Sequence, residues 1–367
     1  MMKQVIKFFR EDLLFSFSLL LAIIAIIFGR FSIQDINFKV IVTLAGLMLV
    51  ISGLDMSGIL SYFGQFLVKK SFSFRQLLRY IVLLSFFSSM FLTNDVAILT
   101  LLPIYLRLTK IIDNRQPVLL GTVYIIAAAN LGSSFFPFGN PQNLFLYSYY
   151  HIPLLKFFSA TSLIAISSLI LLMISIQFIP KEPIRITLTD NQFDRPKAVG
   201  FGVLMLIMIG GVFGLIDYFL ALAIVAIIVL FWQPQLFKNV DYRLLATFAF
   251  FFVIVGNLSQ SESIITWLQS IFTNYENTLL GSILTSQVIS NVPAAILLAP
   301  FTKYHQSLLL GVNIGGLGTL IASLANLIGY KIIRIQVPSE RKLFLRNFYL
   351  VNGIFLLLLT LSFSLIS

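Results

Sequence analysis

Residues 130–143 read NLGSSFFPFGNPQN and interrupt a chain that is otherwise strongly apolar. The stretch lies between two hydrophobic runs, yet it carries two prolines, two glycines and three asparagines. A backbone group left unsatisfied in hydrocarbon costs several kcal/mol, so such a break persists only where protein or water satisfies it. Interrupted helices at membrane depth are one way in which a substrate or ion site is built.

The composition indicates a polytopic membrane protein. Of 367 residues, 58% are hydrophobic and 11% are charged, and the mean hydropathy is +0.96. Soluble domains carry about 25% charged residues. The cations behind the net charge of +11 lie between apolar runs, which favours a topology signal over nucleic-acid binding. The chain has no cysteine, which excludes disulfides and thiolate metal sites.

Apolar segments of about 20 residues predict nine membrane crossings. Two of them, 40–68 and 242–275, are long and have an amphipathic second half. Two further pieces, 76–109 and 278–302, consist of paired apolar runs that are each too short to cross. We predict that both are re-entrant hairpins, which enter and leave the membrane on one side. The predicted crossings are 12–29, 40–68, 117–150, 155–179, 198–216, 217–232, 242–275, 306–336 and 343–366.

The distribution of cations predicts the orientation of the chain. With this arrangement of crossings, every Lys and Arg falls on one side except Arg30, Lys39, Lys156 and Lys303. The side that is rich in cations is expected to be cytoplasmic. We therefore predict a multi-pass protein of the plasma or inner membrane, with a cytoplasmic N-terminus and an external C-terminus.

The second half of the chain resembles the first. Residues 313–326 read NIGGLGTLIASLAN and, like the first interrupted stretch, begin and end with asparagine. The hairpin tips also correspond, Thr93-Asn94 in the first and Ser290-Asn291 in the second. One crossing joins two halves with an even number of crossings, so their topology is expected to be inverted. The predicted all-α organisation is repeat 1 at 1–180 (hairpin 76–109, broken helix 117–150), a linker and connecting helix at 181–216, and repeat 2 at 217–367 (hairpin 278–302, broken helix 306–336).

The paired asparagines of each interrupted helix are candidate ligands. On a continuous helix, residues 13 apart would point roughly 140° from each other, so both can face one cavity only if the helix is broken between them. Pro137, Gly139 and Pro141 are expected to break the first helix, and a glycine-rich stretch ending at Gly318-Thr319 the second. Amide groups and free carbonyls suit a hard cation such as Na⁺, and helix N-termini suit an anion. The alternative is that the asparagines only satisfy the broken backbone.

Asp95, at the first hairpin tip, is the one acidic residue that we place deep in the membrane part. A carboxylate at that depth is a functional hypothesis by default. Three roles fit it: coordinating a cation, carrying a proton, or capping the helix that starts at Val96. The corresponding position of the second hairpin is Val292, so the two halves are not chemically equal.

At these residues the chain resembles the ion transporter superfamily, which includes the arsenite pump membrane subunit, NhaD-type antiporters, citrate transporters and divalent anion/sodium symporters. The resemblance rests on TNDVA at 93–97, GNPQN at 139–143, SNVPA at 290–294, and on Asn313 and Asn326. It is most similar to the arsenite/anion permease branch. The resemblance implies two Na⁺-type sites, each formed by a hairpin tip and a helix break, with substrate between the tips, and it implies homodimers.

The sequence therefore predicts a secondary transporter of a small anion or oxyanion, coupled to Na⁺ or H⁺ by alternating access in a lipid bilayer. The alternatives are a Na⁺/H⁺ antiporter, a passive channel and the membrane subunit of a pump. No catalytic set or nucleotide motif is present in the sequence, so we expect neither an enzyme nor an organic cofactor. Na⁺ is expected at Asn94, Asp95, Gly139, Asn291 and Asn313. The predicted site comprises Thr93, Asn94, Asp95, Gly139, Asn140, Asn143, Ser290, Asn291, Asn313, Gly318, Thr319 and Asn326.

Overall fold

The computed structural model describes residues 13–184 and 192–365. Within these ranges the chain is helical, and the one extended pairing is an isolated antiparallel bridge between Ser73 and Pro183. The prediction of an all-α polytopic membrane protein is confirmed at this level. The first half contains α1 (Leu13–Phe28), α2 (Phe38–Met56), α3 (Ile59–Lys69), α4 (Phe74–Leu108), α5 (Arg115–Gly132), α6 (Pro141–Tyr149) and α7 (Leu154–Ile176). The second contains α8 (Arg195–Val212), α9 (Tyr218–Trp232), α10 (Tyr242–Leu258), α11 (Glu262–Ile271), α12 (Tyr275–Ile289), α13 (Asn291–Leu298), α14 (His305–Ile314), α15 (Leu324–Gln336) and α16 (Arg341–Ser364).

Five helical runs of the described residues are long and apolar enough to cross a membrane, or six if α10 and α11 form one bent span. They are α2, α7, α8, Pro338–Ser364 and α4, although α4 is interrupted at Thr93 and doubles back there. The helices α1 and α9 and the run Asn291–Phe301 are apolar but shorter. The nine crossings and the orientation of the termini stay predictions, and the predicted cytoplasmic N-terminal segment before residue 13 lies outside the described residues.

Each of the two long predicted crossings is in fact two helices. The segment 40–68 divides at Gly58, whose φ of +75° ends α2 and starts α3. The segment 242–275 divides after Leu258, and α11 is bent by 102° from α10. The second member of each pair is amphipathic, which favours a position along the membrane surface over a continuation through the bilayer.

Both predicted hairpins double back on themselves. The helix α4 is interrupted at Thr93, and the rings of Phe74 and Tyr105 lie 6.5 Å apart between centroids. A straight helix would separate these two residues by roughly 46 Å. In the second hairpin, α12 and α13 meet at Ser290, and the hydroxyls of Thr278 and Thr302 are 3.1 Å apart. The side of the membrane from which each hairpin enters stays a prediction.

Both long helices that carry the paired asparagines are interrupted. The helix α5 ends at Gly132 and α6 begins at Pro141, while α14 ends at Ile314 and α15 begins at Leu324. The prolines of the first break and the glycines of the second both leave short irregular segments between the helices. Because helix interruptions free backbone groups at both ends, the local partners of these groups determine what the breaks can bind.

The helices pack so that each hairpin contacts both breaks. The hairpin α4 packs against α5 of its own half and against α15 of the other half. The second hairpin packs in the corresponding way, α12 against α14 and α13 against α6. This exchange of partners brings the tips and the breaks together through buried side chains.

Candidate functional site

A cavity lies where the two hairpin tips approach each other. Its volume for water-sized occupants is about 50 Å³, which is enough to hold water. The tips contribute Asn94, Asp95, Ser290 and Asn291 to its wall. The breaks contribute Pro141, Gln142, Ser323 and Leu324, and the remaining wall is formed by Leu14, Leu244, Thr247, Phe248, Phe251, Val292, Pro293 and Ile296.

Four helices begin at this cavity. The second arm of α4 starts at Asn94, α13 at Asn291, α6 at Pro141 and α15 at Leu324, and each of these residues lines the cavity. Each helix N-terminus carries about half a positive charge from its aligned peptide dipoles. No Lys, Arg or His side chain belongs to the wall as far as the structure describes it. Among the described wall residues, the groups that would favour an anion are therefore the helix N-termini.

The two tips share an unusual backbone conformation. Thr93 has φ +67° and ψ 158°, and Ser290 has φ +77° and ψ 153°. This region is adopted almost only by glycine, and other residues held there carry about 1–3 kcal/mol of strain. The surrounding contacts support the second tip, since the N–H of Asn291 donates to the carbonyl of Ala322 at 2.9 Å. In both hairpins this conformation turns the following asparagine into the cavity.

The strain at the first tip can be tested by substitution. We expect Thr93→Gly to fold and to transport, because glycine adopts this φ without a clash. We expect Thr93→Pro to lose transport, because proline holds φ near −65° and the misfit costs ~3 kcal/mol or more. Folded yield by size-exclusion chromatography and flux in vesicles would measure both effects. Full activity of the proline variant would contradict a requirement for this backbone geometry.

Asn130 connects the first tip to the second half of the chain. Its Oδ1 accepts hydrogen bonds from Nδ2 of Asn94 at 3.1 Å and from the hydroxyl of Ser323 at 2.9 Å. Its Nδ2 donates to Oδ1 of Asn326 at 2.8 Å. All four side chains are buried. The first asparagine of one half thus pairs with the second asparagine of the other.

The other two asparagines form the reciprocal pair. Asn313 donates from Nδ2 to Oδ1 of Asn143 at 2.7 Å, and its own Oδ1 accepts from Nδ2 of Asn140 at 3.1 Å. Asn140 also caps α6, because its Oδ1 accepts from the N–H of Asn143 at 2.9 Å. These contacts cross between the halves in the same sense as the Asn130–Asn326 pair.

The asparagine at the end of each interrupted segment binds backbone groups that the break leaves without helical partners. Asn143 donates to the carbonyls of Ser134 and Phe136 at 2.8 and 3.3 Å. Asn326 donates to the carbonyls of Gly316 and Thr319 at 2.9 and 3.0 Å. Both therefore have a supporting structural role behind the cavity. This is the role that the sequence analysis gave as the alternative to ligand binding, namely satisfying the broken backbone.

The second break is held by a residue that the site prediction omitted. Gln287 donates from Nε2 to the carbonyls of Gly315 and Leu317 and accepts from the N–H of Thr319 at 2.9 Å. Gly318 has φ +94°, and a Cβ there would lie 2.3 Å from Oε1 of Gln287. Gly318 and Thr319 thus shape the break, and neither belongs to the cavity wall in the described chain. Gln287 could have been identified from the sequence, because it is a polar residue within an apolar arm of the hairpin.

Asp95 supplies the one carboxylate of the cavity wall as the structure describes it. Its Oδ1 is buried and has no hydrogen-bond partner. A buried carboxylate oxygen without a donor is costly, so a bound cation or proton would stabilise it. The second arm of α4, which follows Asp95, contacts α2, since the hydroxyl of Thr100 donates a hydrogen bond to Asp55 at 2.9 Å.

The predicted site residues therefore separate into two layers. Asn94, Asp95, Ser290 and Asn291 line the cavity, while Asn140, Asn143, Asn313 and Asn326 are buried behind it. Thr93 and Gly139 lie in the tip and the break without belonging to the wall. The structure adds Gln142 and Ser323, both buried. Ser323 could have been found because it occupies the position that matches Asn140 when the two breaks are aligned.

The expected sodium sites remain a prediction. In the described chain, no three His, Cys, Asp or Glu side chains come together as metal ligands. Sodium would have to be bound by amide and carbonyl oxygens with Asp95, and Oδ1 of Asn313 already accepts a hydrogen bond from Asn140. Sodium here would be transported as a substrate.

Comparison with known proteins gives consistent similarities. Residues 14–307 match the family model described as citrate transporter, CitMHS. The chain is 30% identical over 342 residues to an uncharacterized transporter of Methanocaldococcus jannaschii, covering 92% of each chain. It is 29% identical over 314 residues to the inner membrane protein YbiR of Escherichia coli K12, covering 85% of this chain and 82% of that protein. The crystal structure of the YdaH transporter of Alcanivorax borkumensis shows a TM-score of 0.44 and 15% identity, over 90% of this chain and 85% of that one.

Proposed function

Because this chain belongs to the citrate transporter family, and is a multi-pass membrane transporter, we propose that it carries a small anion or oxyanion coupled to Na⁺ or H⁺. The site between the hairpin tips would bind the anion, and Asp95 would bind the coupling ion. The protein would act by secondary active transport and not as an enzyme.

The observation that carries the anion assignment is the meeting of four helix N-termini at one cavity. Backbone N–H groups and aligned dipoles favour a carboxylate or an inorganic oxyanion without a basic side chain. The amide groups of Asn94 and Asn291 can donate further hydrogen bonds. The small volume of about 50 Å³ suits a small anion, or a cavity that enlarges when the tips separate.

Asp95 supports coupling because its charge opposes the anion. A carboxylate that has bound neither a cation nor a proton repels an anion beside it, and the repulsion is stronger in a medium of low dielectric constant. A cation or proton on Asp95 removes the repulsion, so the two substrates would bind together. Val292 occupies the corresponding position of the other tip, so we propose one carboxylate-based ion site instead of two equal ones.

The finer architecture is part of the proposal. We infer two inverted repeats, nine crossings and two re-entrant hairpins, with a cytoplasmic N-terminus and an external C-terminus. The reciprocal Asn130–Asn326 and Asn313–Asn143 contacts support the repeats, because each contact joins the first asparagine of one half to the second asparagine of the other. Alternating access would move the tips together with the breaks. A homodimer would provide a stable frame for this movement.

A Na⁺/H⁺ antiporter is the second candidate. It is favoured by one observation, the unpartnered carboxylate oxygen of Asp95 in a wall whose described residues include no basic side chain. In that case Na⁺ and H⁺ would compete for Asp95 and no anion would be carried.

Flux measurements in proteoliposomes separate the two candidates. We expect uptake of labelled small carboxylates or oxyanions to require an imposed Na⁺ or H⁺ gradient, and each gradient is to be applied alone. Empty liposomes provide the control. Proton movement driven by Na⁺ in the absence of any anion would favour the antiporter, and anion flux independent of either gradient would exclude coupling.

A further inference from the structure

Three cavities follow one another along α10. The inner vestibule, a shallow pocket on the side predicted to be cytoplasmic, is lined by Asp241, Arg243 and Ala246 with neighbouring residues, and has a volume of about 520 Å³. The central cavity, described above, uses the next turns of the same helix from Leu244 to Phe251. The outer vestibule is lined by α10 from Phe252 onward and has a volume of about 530 Å³. One helix therefore forms a wall of all three.

The central cavity shares a wall residue with the outer vestibule and lies near the inner one. Ile296 lines both the central cavity and the outer vestibule. The ring of Phe252 packs between Phe145 at 5.6 Å and Phe248 at 6.3 Å, which closes the same boundary. On the inner side, Asp241 of the vestibule wall lies close enough to Asp95 of the central wall for the two charges to interact. Movement of Ile296 and Phe252 would connect the central cavity to the outer vestibule.

Each cavity contains one carboxylate among its described wall residues. These are Asp241 in the inner vestibule, Asp95 in the central cavity and Asp35 in the outer vestibule. The other ionisable groups of the two vestibule walls are Arg243 with Tyr242 and Arg30 with Tyr149, respectively. Acidic groups at successive positions along one helix are suited to passing a cation from one to the next.

Asp35 is held in place by α10. Its carboxyl group lies against Gly256, where a Cβ would approach Cγ and Oδ2 of Asp35 to 2.4 Å. Its Oδ2 is buried and has no hydrogen-bond partner. Asn257 fixes the adjoining loop, since its side chain accepts from the N–H of Arg30 at 2.8 Å and donates to the carbonyl of Arg30 at 2.9 Å. The loop thus positions a carboxylate that lacks a donor and that a cation would stabilise.

We propose that the coupling cation travels along α10, binding at Asp35 in the outer vestibule and at Asp241 in the inner one on its way to and from Asp95. The ligand at Asp35 is a small hard cation, Na⁺ or a proton, and the polar residues Gln34 and Ser259 line the same wall. The inference rests on the proposed function, because it requires Asp95 to be the central ion site. It adds the route by which the ion arrives.

The test compares the two faces of the membrane. We expect Asp35→Asn to raise the half-saturating concentration of the coupling cation about tenfold when the cation is supplied outside intact cells, with little change in inverted vesicles. Asp241→Asn should show the opposite pattern, and since asparagine also caps helices, α10 should still form. Initial rates of anion uptake at varied Na⁺, and at varied pH without Na⁺, identify which cation responds.

Matched variants control for indirect effects. Asp217→Asn changes an exposed cap outside the three cavity walls and should match the wild type. Gly256→Ala should reproduce Asp35→Asn because it displaces the carboxylate, whereas Gly202→Ala, which meets nothing within 4 Å, should not. Folded yield is measured for every variant.

The outcomes separate the route from the function. If wild-type uptake depends on the cation but Asp35→Asn and Gly256→Ala change neither face, the route is wrong and the proposed function stands. Equal effects on both faces would assign Asp35 a structural role and also overturn the route. Wild-type flux without any cation dependence would overturn both.

Discussion

Asp95→Asn will abolish gradient-driven accumulation of the anion while leaving the protein folded. The substitution keeps the size of the side chain and removes the one carboxylate of the described cavity wall. Without a group that binds the cation or proton, the gradient can no longer drive the anion uphill. We expect coupled accumulation to fall by about a hundredfold or more, which is ~2.7 kcal/mol or more in driving force.

The anion site itself should survive in this variant. The four helix N-termini do not depend on Asp95, so exchange of labelled for unlabelled anion across the membrane is expected to continue. Counterflow and gradient-driven uptake would be measured side by side. Asp55→Asn is the matched control, because Asp55 is an exposed carboxylate that accepts a hydrogen bond from the same hairpin. Accumulation at the wild-type level in the Asp95 variant would show that the coupling ion binds elsewhere.

Asn130→Ala will strongly reduce the amount of folded protein. The substitution removes partners from Asn94, Ser323 and Asn326 at once, and all of these groups are buried. Each buried polar group without a partner costs ~1–3 kcal/mol. Proteins are stable by only ~5–15 kcal/mol in total, so we expect most of this variant to aggregate.

Thermal unfolding in detergent and folded yield would measure the effect. Asn277→Ala, at an exposed asparagine, is expected to retain the wild-type yield. The double variant Asn130→Ala with Asn326→Ala should be less harmful than the sum of the two single changes, because the second removes a group that has already lost its partner. Additive losses would mean that the two amides do not interact.

Local residue chemistry was sufficient to predict the interruptions. Pro137 and Pro141 cannot continue a helix, and the structure breaks there, between Gly132 and Pro141. The repeated asparagines located the second break, where glycines replace proline. The family assignment, which rests on the motifs at the tips and breaks, is confirmed by the match over residues 14–307.

Tertiary contacts explain what the sequence left unpredicted. Threonine and serine disfavour positive φ, so nothing local predicted the backbone of Thr93 and Ser290. The exchange of asparagine partners depends on how two distant halves pack, and sequence spacing does not contain that information. The two divided crossings were missed because Gly58 and the polar residues after Leu258 are single local signals within long apolar runs.

The exchanged asparagine pairs also have a consequence for how the chain is made. Asn130 is synthesised 196 residues before Asn326, and Asn143 is synthesised 170 residues before Asn313. At ~5–20 residues per second, the ribosome needs roughly 10–40 s to deliver the missing partner. During that interval Nδ2 of Asn130 and Oδ1 of Asn143 lack the partners that the second half supplies, so water or the insertion machinery has to solvate them. Neither half of this transporter can form all of its asparagine hydrogen bonds alone, so the first half stays incomplete in the membrane until the second has been synthesised.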